Sequence, residues 1–229
     1  MSEVKRFSKE ILIRKIIAIG LIFIGFYTLM FWLLAPGVFT NPFTLCTIIT
    51  FYIIGSIDII IRPVPEGKPE MDRCAAVIAL MGFLQPFILI LAYYENQLLI
   101  SNYLSFWNDP IVAYIGLILI IIGGIITIVS RIQLGIFGTP VLVVEEEHQL
   151  INTGLYKYLR HPMYSGGILM MTGTFLGFRG LITTISFMVL YFLLVIKRMD
   201  REEQMLISAF GENYSNYMKQ TKRIIPFIY

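Results

Sequence analysis

The sequence predicts an all-α polytopic membrane protein with about six transmembrane helices, the last two forming a C-terminal helical hairpin. Three observations carry that prediction. Hydrophobic residues fill 57% of the 229 positions and charged ones only 14%, and the mean hydropathy is +0.75, far too apolar for a water-soluble domain of this size. Apolar runs recur at lengths that suit a bilayer, for which about 20 residues are needed. The short segments between them alternate between having and lacking Lys and Arg, as membrane loops do.

The first run, 11–34, follows a basic segment with Lys5, Arg6, Lys9, Arg14 and Lys15. It is too long for a signal peptide and ends in no small-residue cleavage pattern, so it reads as a retained helix. The second and third runs are 44–61 and 74–94. The loop APGVFTNPF before the second carries no basic residue, the loop after it has Arg62, Lys68 and Arg73, and Asn96 to Pro110 has none again. The fourth run is 111–130. The fifth and sixth, 163–178 and 180–197, leave room only for a tight turn at Gly177 to Gly180, which makes them a hairpin with Arg179 at the far membrane surface. Arg131, Lys157 and Arg160 precede the hairpin, and Lys197, Arg198, Arg201, Lys219, Lys222 and Arg223 follow it. Of the 18 basic residues only Arg179 then lies opposite, so both termini are expected in the cytoplasm. The net charge of +3 reflects that topology and is no sign of nucleic-acid binding. Cys46 and Cys74 match no metal or redox spacing and read as packing residues. No polar pairing inside the membrane is visible.

Charge beyond what a bilayer protein requires collects in two segments, 141–164 and 197–226, both on the expected cytoplasmic side. A site built from both sits at the membrane surface. Pro162 suits the first position of a helix, which puts His161 at the cap, and such a helix start offers N–H groups to a carboxylate or phosphate. The plainer alternative has Arg160 reaching lipid headgroups and Tyr164 in an interfacial aromatic belt. Arg198 and Glu202, four apart, share a helix face, as an exposed ion pair or as part of a site. Leu206 and Phe210 continue that face, so the segment either lies back over Pro162 as a lid or anchors amphipathically. Glu145, Glu146 and Glu147 read as a solvated loop. Next to them stands His148, yet H-E-x-x-H and Cys/His pairings are missing, which argues against a metal, and no G-x-G-x-x-G follows a strand.

Taken in order, these motifs resemble the isoprenylcysteine carboxyl methyltransferases and their prokaryotic relatives, which include phospholipid methyltransferases. The matching stretches are His148-Gln149-Leu150-Ile151, Asn152-Thr153-Gly154-Leu155-Tyr156 in part, Arg160-His161-Pro162-Met163-Tyr164, Glu202-Glu203-Gln204-Met205-Leu206 and Phe210-Gly211-Glu212-Asn213-Tyr214-Ser215-Asn216-Tyr217, with Pro226-Phe227 beyond. The likeness covers roughly 111–229, and 1–110 reads as a variable scaffold of three helices. The resemblance implies an S-adenosylmethionine cofactor in a cytoplasmic pocket. It would be held by His148, Gln149, Leu150, Ile151, Tyr156, His161, Pro162, Met163, Tyr164 and Glu202, with Arg198 holding a substrate carboxylate. Where eukaryotic members have a cofactor-contacting glutamine, this chain has Val141, so the contact is lost or passes to a neighbour such as Gln133 or Glu145.

Methyl transfer from a sulfonium to a carboxylate needs orientation and water exclusion more than acid–base groups, which suits so sparse a constellation. The expected acceptor is a lipophilic small molecule or a lipidated substrate in contact with membrane lipid. It would enter sideways between the fourth helix and the hairpin, where Gly123, Gly124, Gly173 and Gly177 favour close packing. Three other readings stay open: methylation of a phospholipid or another lipophilic heteroatom, an NADPH-dependent reductase of the sterol or 5α-reductase kind, and a non-catalytic scaffold or transporter.

Overall fold

The computed structural model describes residues 9–63, 73–137 and 150–224, which are predominantly helical. Helix α1 spans Lys9–Leu34, with a π-helical stretch at Ala18–Gly25. Helix α2, Pro42–Ile61, starts where the Asn41 side chain accepts from Phe43 N and Thr44 N and Pro42 needs no partner. Helix α3, Arg73–Glu95, runs on through a π turn at Asn96–Ile100. Helix α4, Pro110–Leu134, repeats the device of α2, with Asp109 accepting from Ile111 N. Helices α5, Pro162–Phe178, and α6, Leu181–Phe210, are joined by Arg179 and Gly180 alone, and α7 is Glu212–Gln220.

Among the described residues, five helical stretches are long and apolar enough to cross a membrane: Lys9–Leu34, Pro42–Ile61, Ala76–Tyr103, Pro110–Phe137 and Leu181–Phe210. The chain is an all-helical integral membrane protein. Helix α5 has 17 residues and is the short member of the bundle. The sixth apolar run ends at 197, and the helix continues past it to Phe210, as the Arg198, Glu202, Leu206 and Phe210 spacing suggests, because no Gly or Pro interrupts it before Gly211.

Tyr27 and Phe31 of α1, Phe51 of α2, Leu89 of α3, Phe175 and Phe178 of α5 and Phe187 of α6 form one core. Inside α3, Pro86 has no N–H to give the Gly82 carbonyl, and the Tyr27 hydroxyl donates to that oxygen instead at 2.6 Å. Helices α4 and α5 pack most extensively and run antiparallel. A Cβ on Gly116 would lie 2.7 Å from the Gly173 carbonyl, and one on Gly123 2.5 Å from that of Gly166, so the two backbones touch.

Between α4 and α5, one side of the expected entry route, the seam is closed by backbone contact. Gly124 and Gly177 also mark close approach, but toward α2, where they face Ile54 and Thr47. Cys46 is exposed and is no packing residue, while the Cys74 side chain lies outside the described ones. Polar pairing within the bundle, unseen in the sequence, is present. Asp58 of α2 and Arg131 of α4 are 8% and 5% exposed and form an ion pair that Arg62 joins. These partners lie 73 positions apart, a separation that no local pattern displays.

Candidate active site

Both motif segments meet at the end of the bundle that carries α7. A short turn, Gly154–Lys157, leads into the site, and Gln133 at the end of α4 holds it by accepting from Leu155 N at 2.9 Å. Gly154 has φ +60, and a Cβ there would lie 2.3 Å from Gln133 Nε2, so only glycine fits. Gln133 thus has a positioning contact, while Val141 and Glu145 lie outside the described residues, as do His148 and Gln149.

After the turn, the chain forms a parallel bridge between Leu159 and Lys222. Lys222 N donates to Tyr158 O at 3.0 Å, Arg160 N to Lys222 O at 2.7 Å, and His161 N to Arg223 O at 3.0 Å. Residues 221–224 are therefore a strap across the start of α5, fastened further by the Ser165 hydroxyl, which donates to Ile224 O at 2.6 Å. The strap changes what the helix start offers. Pro162 has no N–H, the His161 amide is taken by the strap, and Tyr164 N and Ser165 N donate to His161 O at 3.1 and 3.2 Å. The expectation of a set of open amides for an anion is overturned at those positions.

Two adjacent carboxylates of α6 reach this region. Glu203, 7% exposed, accepts from Arg160 Nε at 2.8 Å and from Arg223 Nη2 at 2.9 Å, and lies 3.1 Å from His161 Nε2. Arg160 also donates to Met218 O at 3.0 Å and to Thr221 O, which binds the strap to the same knot. Glu202 is more exposed. Its Oε2 accepts from the Tyr164 hydroxyl at 3.0 Å, and its Oε1 is 4.0 Å from His161 Nδ1. Arg198, 6% exposed, donates from Nε to the Tyr164 hydroxyl at 2.9 Å. Arg198 and Glu202 are thus joined through Tyr164 rather than as the direct, exposed i,i+4 pair that their spacing suggested.

His161, 3% exposed, sits between the two carboxylates with its ring tilted against Tyr164 at 5.6 Å. Pro162 is buried and Met163 partly so. Tyr156 is buried. Its burial, with Glu202 nearby, pushes the phenol well up, and its carbonyl accepts from the Tyr217 hydroxyl at 2.6 Å. Burial likewise pushes the Tyr217 phenol up to about 12, so at neutral pH it is a donor. Gly211, at φ 56, ends α6 and starts α7, which meets the 154–157 turn through the Tyr217 hydroxyl. A cleft of ≈ 490 Å³ opens between α7 and the 150–157 turn, with Leu150, Asn152, Lys157, Asn213 and Asn216 among its walls. It includes Leu150 but not His161, Tyr164, Arg198 or Glu202; Ile151 is partly buried beside it in sequence.

Sequence reasoning named neither Glu203 nor Arg223 as a site residue and left Arg160 open between the motif and a lipid headgroup. A signal for the first was present: consecutive helical residues point about 100° apart, so a Glu-Glu pair cannot serve one task.

A family model described as phospholipid methyltransferase matches residues 111–213. A probable protein-S-isoprenylcysteine O-methyltransferase of Oryza sativa subsp. japonica is 28% identical over 165 residues, covering 71% of this chain and 85% of that one. Protein-S-isoprenylcysteine O-methyltransferase B of Arabidopsis thaliana is 29% identical, with 71% and 82% covered. The protein-S-isoprenylcysteine O-methyltransferase of Homo sapiens is 32% identical over 83 residues, 36% of this chain and 29% of that protein. A solved structure of the eukaryotic intramembrane Ras methyltransferase ICMT aligns with a TM-score of 0.49 and 16% identity over 98% of this chain and 95% of that one. The family model and the curated relatives support the isoprenylcysteine carboxyl methyltransferase and phospholipid methyltransferase family. The chain is an enzyme, a membrane methyltransferase.

Proposed function

From that family assignment we propose that the chain is an S-adenosylmethionine-dependent methyltransferase whose acceptor is a lipophilic carboxylate of the isoprenylcysteine type. The catalytic part is 111–229, the helices of 1–110 are its scaffold, and the face with both termini is cytoplasmic, in line with the Lys and Arg distribution. The observation that carries the reading is the relay from Arg198 through the Tyr164 hydroxyl to Glu202, which links a buried cation to a half-buried carboxylate where the membrane helices end.

The residues fit such a cofactor. Tyr164 fixes one Glu202 oxygen, and the other has His161 Nδ1 as its nearest basic neighbour among the described residues, at 4.0 Å, so it suits a hydroxyl or ammonium donor. Glu202, His161, Met163 and Tyr164 would hold the cofactor from the helix side, and Leu150, Ile151 and Tyr156, with His148 and Gln149, from the loop side. When bound, S-adenosylmethionine supplies an electrophilic methyl group, which a carboxylate oxygen takes by in-line displacement, the O–C bond forming as the C–S bond breaks and no proton moving. Arg198 orients the acceptor carboxylate, its planar fork matched to two oxygens. Tyr164 ties that fork to the cofactor carboxylate Glu202, and the low water content around Arg198 strengthens both contacts.

Calorimetry on the detergent-purified chain should give binding of S-adenosylhomocysteine and none of NADPH; the reverse result would replace the reading with a reductase. A methyl-transfer assay then compares farnesylcysteine analogues with ethanolamine lipids. Arg198→Gln should abolish carboxylate methylation, since the neutral amide cannot replace the charged fork that holds the acceptor carboxylate. Amine methylation that survives this substitution favours the phospholipid branch.

A further inference from the structure

At the opposite end of the bundle, Arg179 stands in the turn between α5 and α6. Its backbone has φ 59 and ψ 19, and it is the only non-glycine residue with positive φ among the described residues. A helix C-terminus of this kind favours glycine, because a Cβ crowds the backbone in the left-handed region. The neighbouring elements nevertheless hold this conformation. Asn96 Nδ2 donates to Arg179 O at 3.3 Å, and Glu95 caps α6 by accepting from Ile182 N at 2.7 Å and Thr183 N at 2.8 Å. A strained residue fixed from several sides marks a position kept for its side chain.

That side chain is half engaged. Arg179 Nη1 donates to Asn108 O at 2.9 Å, and the guanidinium lies over the Phe43 ring at 4.7 Å. Its Nε and Nη2, buried, have no hydrogen-bond partner among the described residues, and the same holds for Nε1 of Trp107, the residue before Asn108. Asp109 is the acidic group whose charge acts on Arg179, and its Oδ1 already accepts from Ile111 N at 2.9 Å. Buried donors without acceptors are costly, and an anion with several oxygens answers them best. Around the corner, Tyr103, Phe106, Ile111 and Ile182 are exposed large apolar side chains. Their partner is hydrocarbon.

We infer that this corner is a phospholipid site, in which the Arg179 guanidinium and the Trp107 indole N–H hold the lipid phosphate while the acyl chains lie on the apolar rim. Arg179 as a whole is only partly buried, so a small rotation of its guanidinium turns Nε and Nη2 toward an incoming oxygen. The site lies at the other end of the bundle from the methyl-transfer residues and stands or falls independently of them.

The test is native mass spectrometry and thermal unfolding of the full chain in detergent, with phosphatidylglycerol, diacylglycerol or inorganic phosphate added. Wild type should retain one phosphatidylglycerol at about tenfold higher affinity than Arg179→Gly, and its Tm should rise with that lipid alone. Without lipid, Arg179→Gly should melt above wild type, because it relieves the left-handed strain, and phosphatidylglycerol should reverse that order. Trp107→Phe keeps the ring and loses the N–H, so it should bind the lipid more weakly while staying folded. Equal retention by wild type and both variants, or an equal effect of diacylglycerol, overturns the site. A full effect of inorganic phosphate overturns the lipid as its source.

Discussion

Glu202 and Glu203 differ by one position on α6, yet Glu203 is shared among Arg160, Arg223 and His161, while Glu202 meets one hydroxyl and has its other oxygen 4.0 Å from His161 Nδ1. Turning the helix by one residue moves a carboxylate from the strap side of α5 to the Tyr164 side. Charge at a membrane surface is therefore spent in two ways here. One carboxylate assembles the site, and the other is the one the proposed function gives to the cofactor.

The strongest test of this division is Glu203→Ala. It leaves buried cations without their partner, and the expected loss is about 3–5 kcal/mol of stability, read from unfolding in detergent. Glu202→Ala should cost under about 1 kcal/mol in the same measurement, as for a half-exposed contact; equal losses would break the comparison. The second test is affinity. Glu202→Gln removes a charged acceptor worth about 1.5–3 kcal/mol, so S-adenosylhomocysteine should bind about 10- to 100-fold more weakly with Tm unchanged. Smaller again is Tyr164→Phe. Without the hydroxyl, Arg198 and Glu202 lose their link, and acceptor KM and cofactor Kd should both rise about fivefold for a hydrogen bond of about 1 kcal/mol. An effect on only one of them would show that the relay couples nothing.

The smallest expected effect is alkaline. The Tyr217 phenol ionises near 10 in an unfolded chain but is pushed up to about 12 in the folded one by burial. Between those values the unfolded chain has lost a proton that the folded chain keeps, so the stability of the α7 contact is full below about pH 10 and falls as pH rises toward 12. Hydrogen exchange at Tyr156 and its neighbours should speed up over that window, and Tyr217→Phe should flatten the response.

Much of this was legible beforehand. The spanning helices follow from apolar length, and the Pro162 and Asn41-Pro42 starts from cap chemistry. Helix pairing was not, because glycines mark close approach without naming a partner: Gly116 and Gly123 fit Gly173 and Gly166 only once the antiparallel register is known. Tyr164, Arg198, His161 and Glu202 do come together, whereas Asp58 with Arg131 and the strap at 221–224 depend on contacts between distant positions. The strap has no periodicity to read, being too short for a strand of its own.

That strap sets an order of events in biosynthesis. Membrane helices enter the bilayer in the sequence in which they are made. The chain can therefore complete every apolar helix and still lack Lys222, Arg223 and Ile224, which hold Arg160, His161 and Ser165 in place. Until those residues emerge, a correctly inserted bundle lacks the Arg223 and Thr221 part of the knot around Glu203 and the strap across the start of α5. Insertion and competence are separate steps, and a nascent chain halted at Gln220 would be anchored in the membrane and silent.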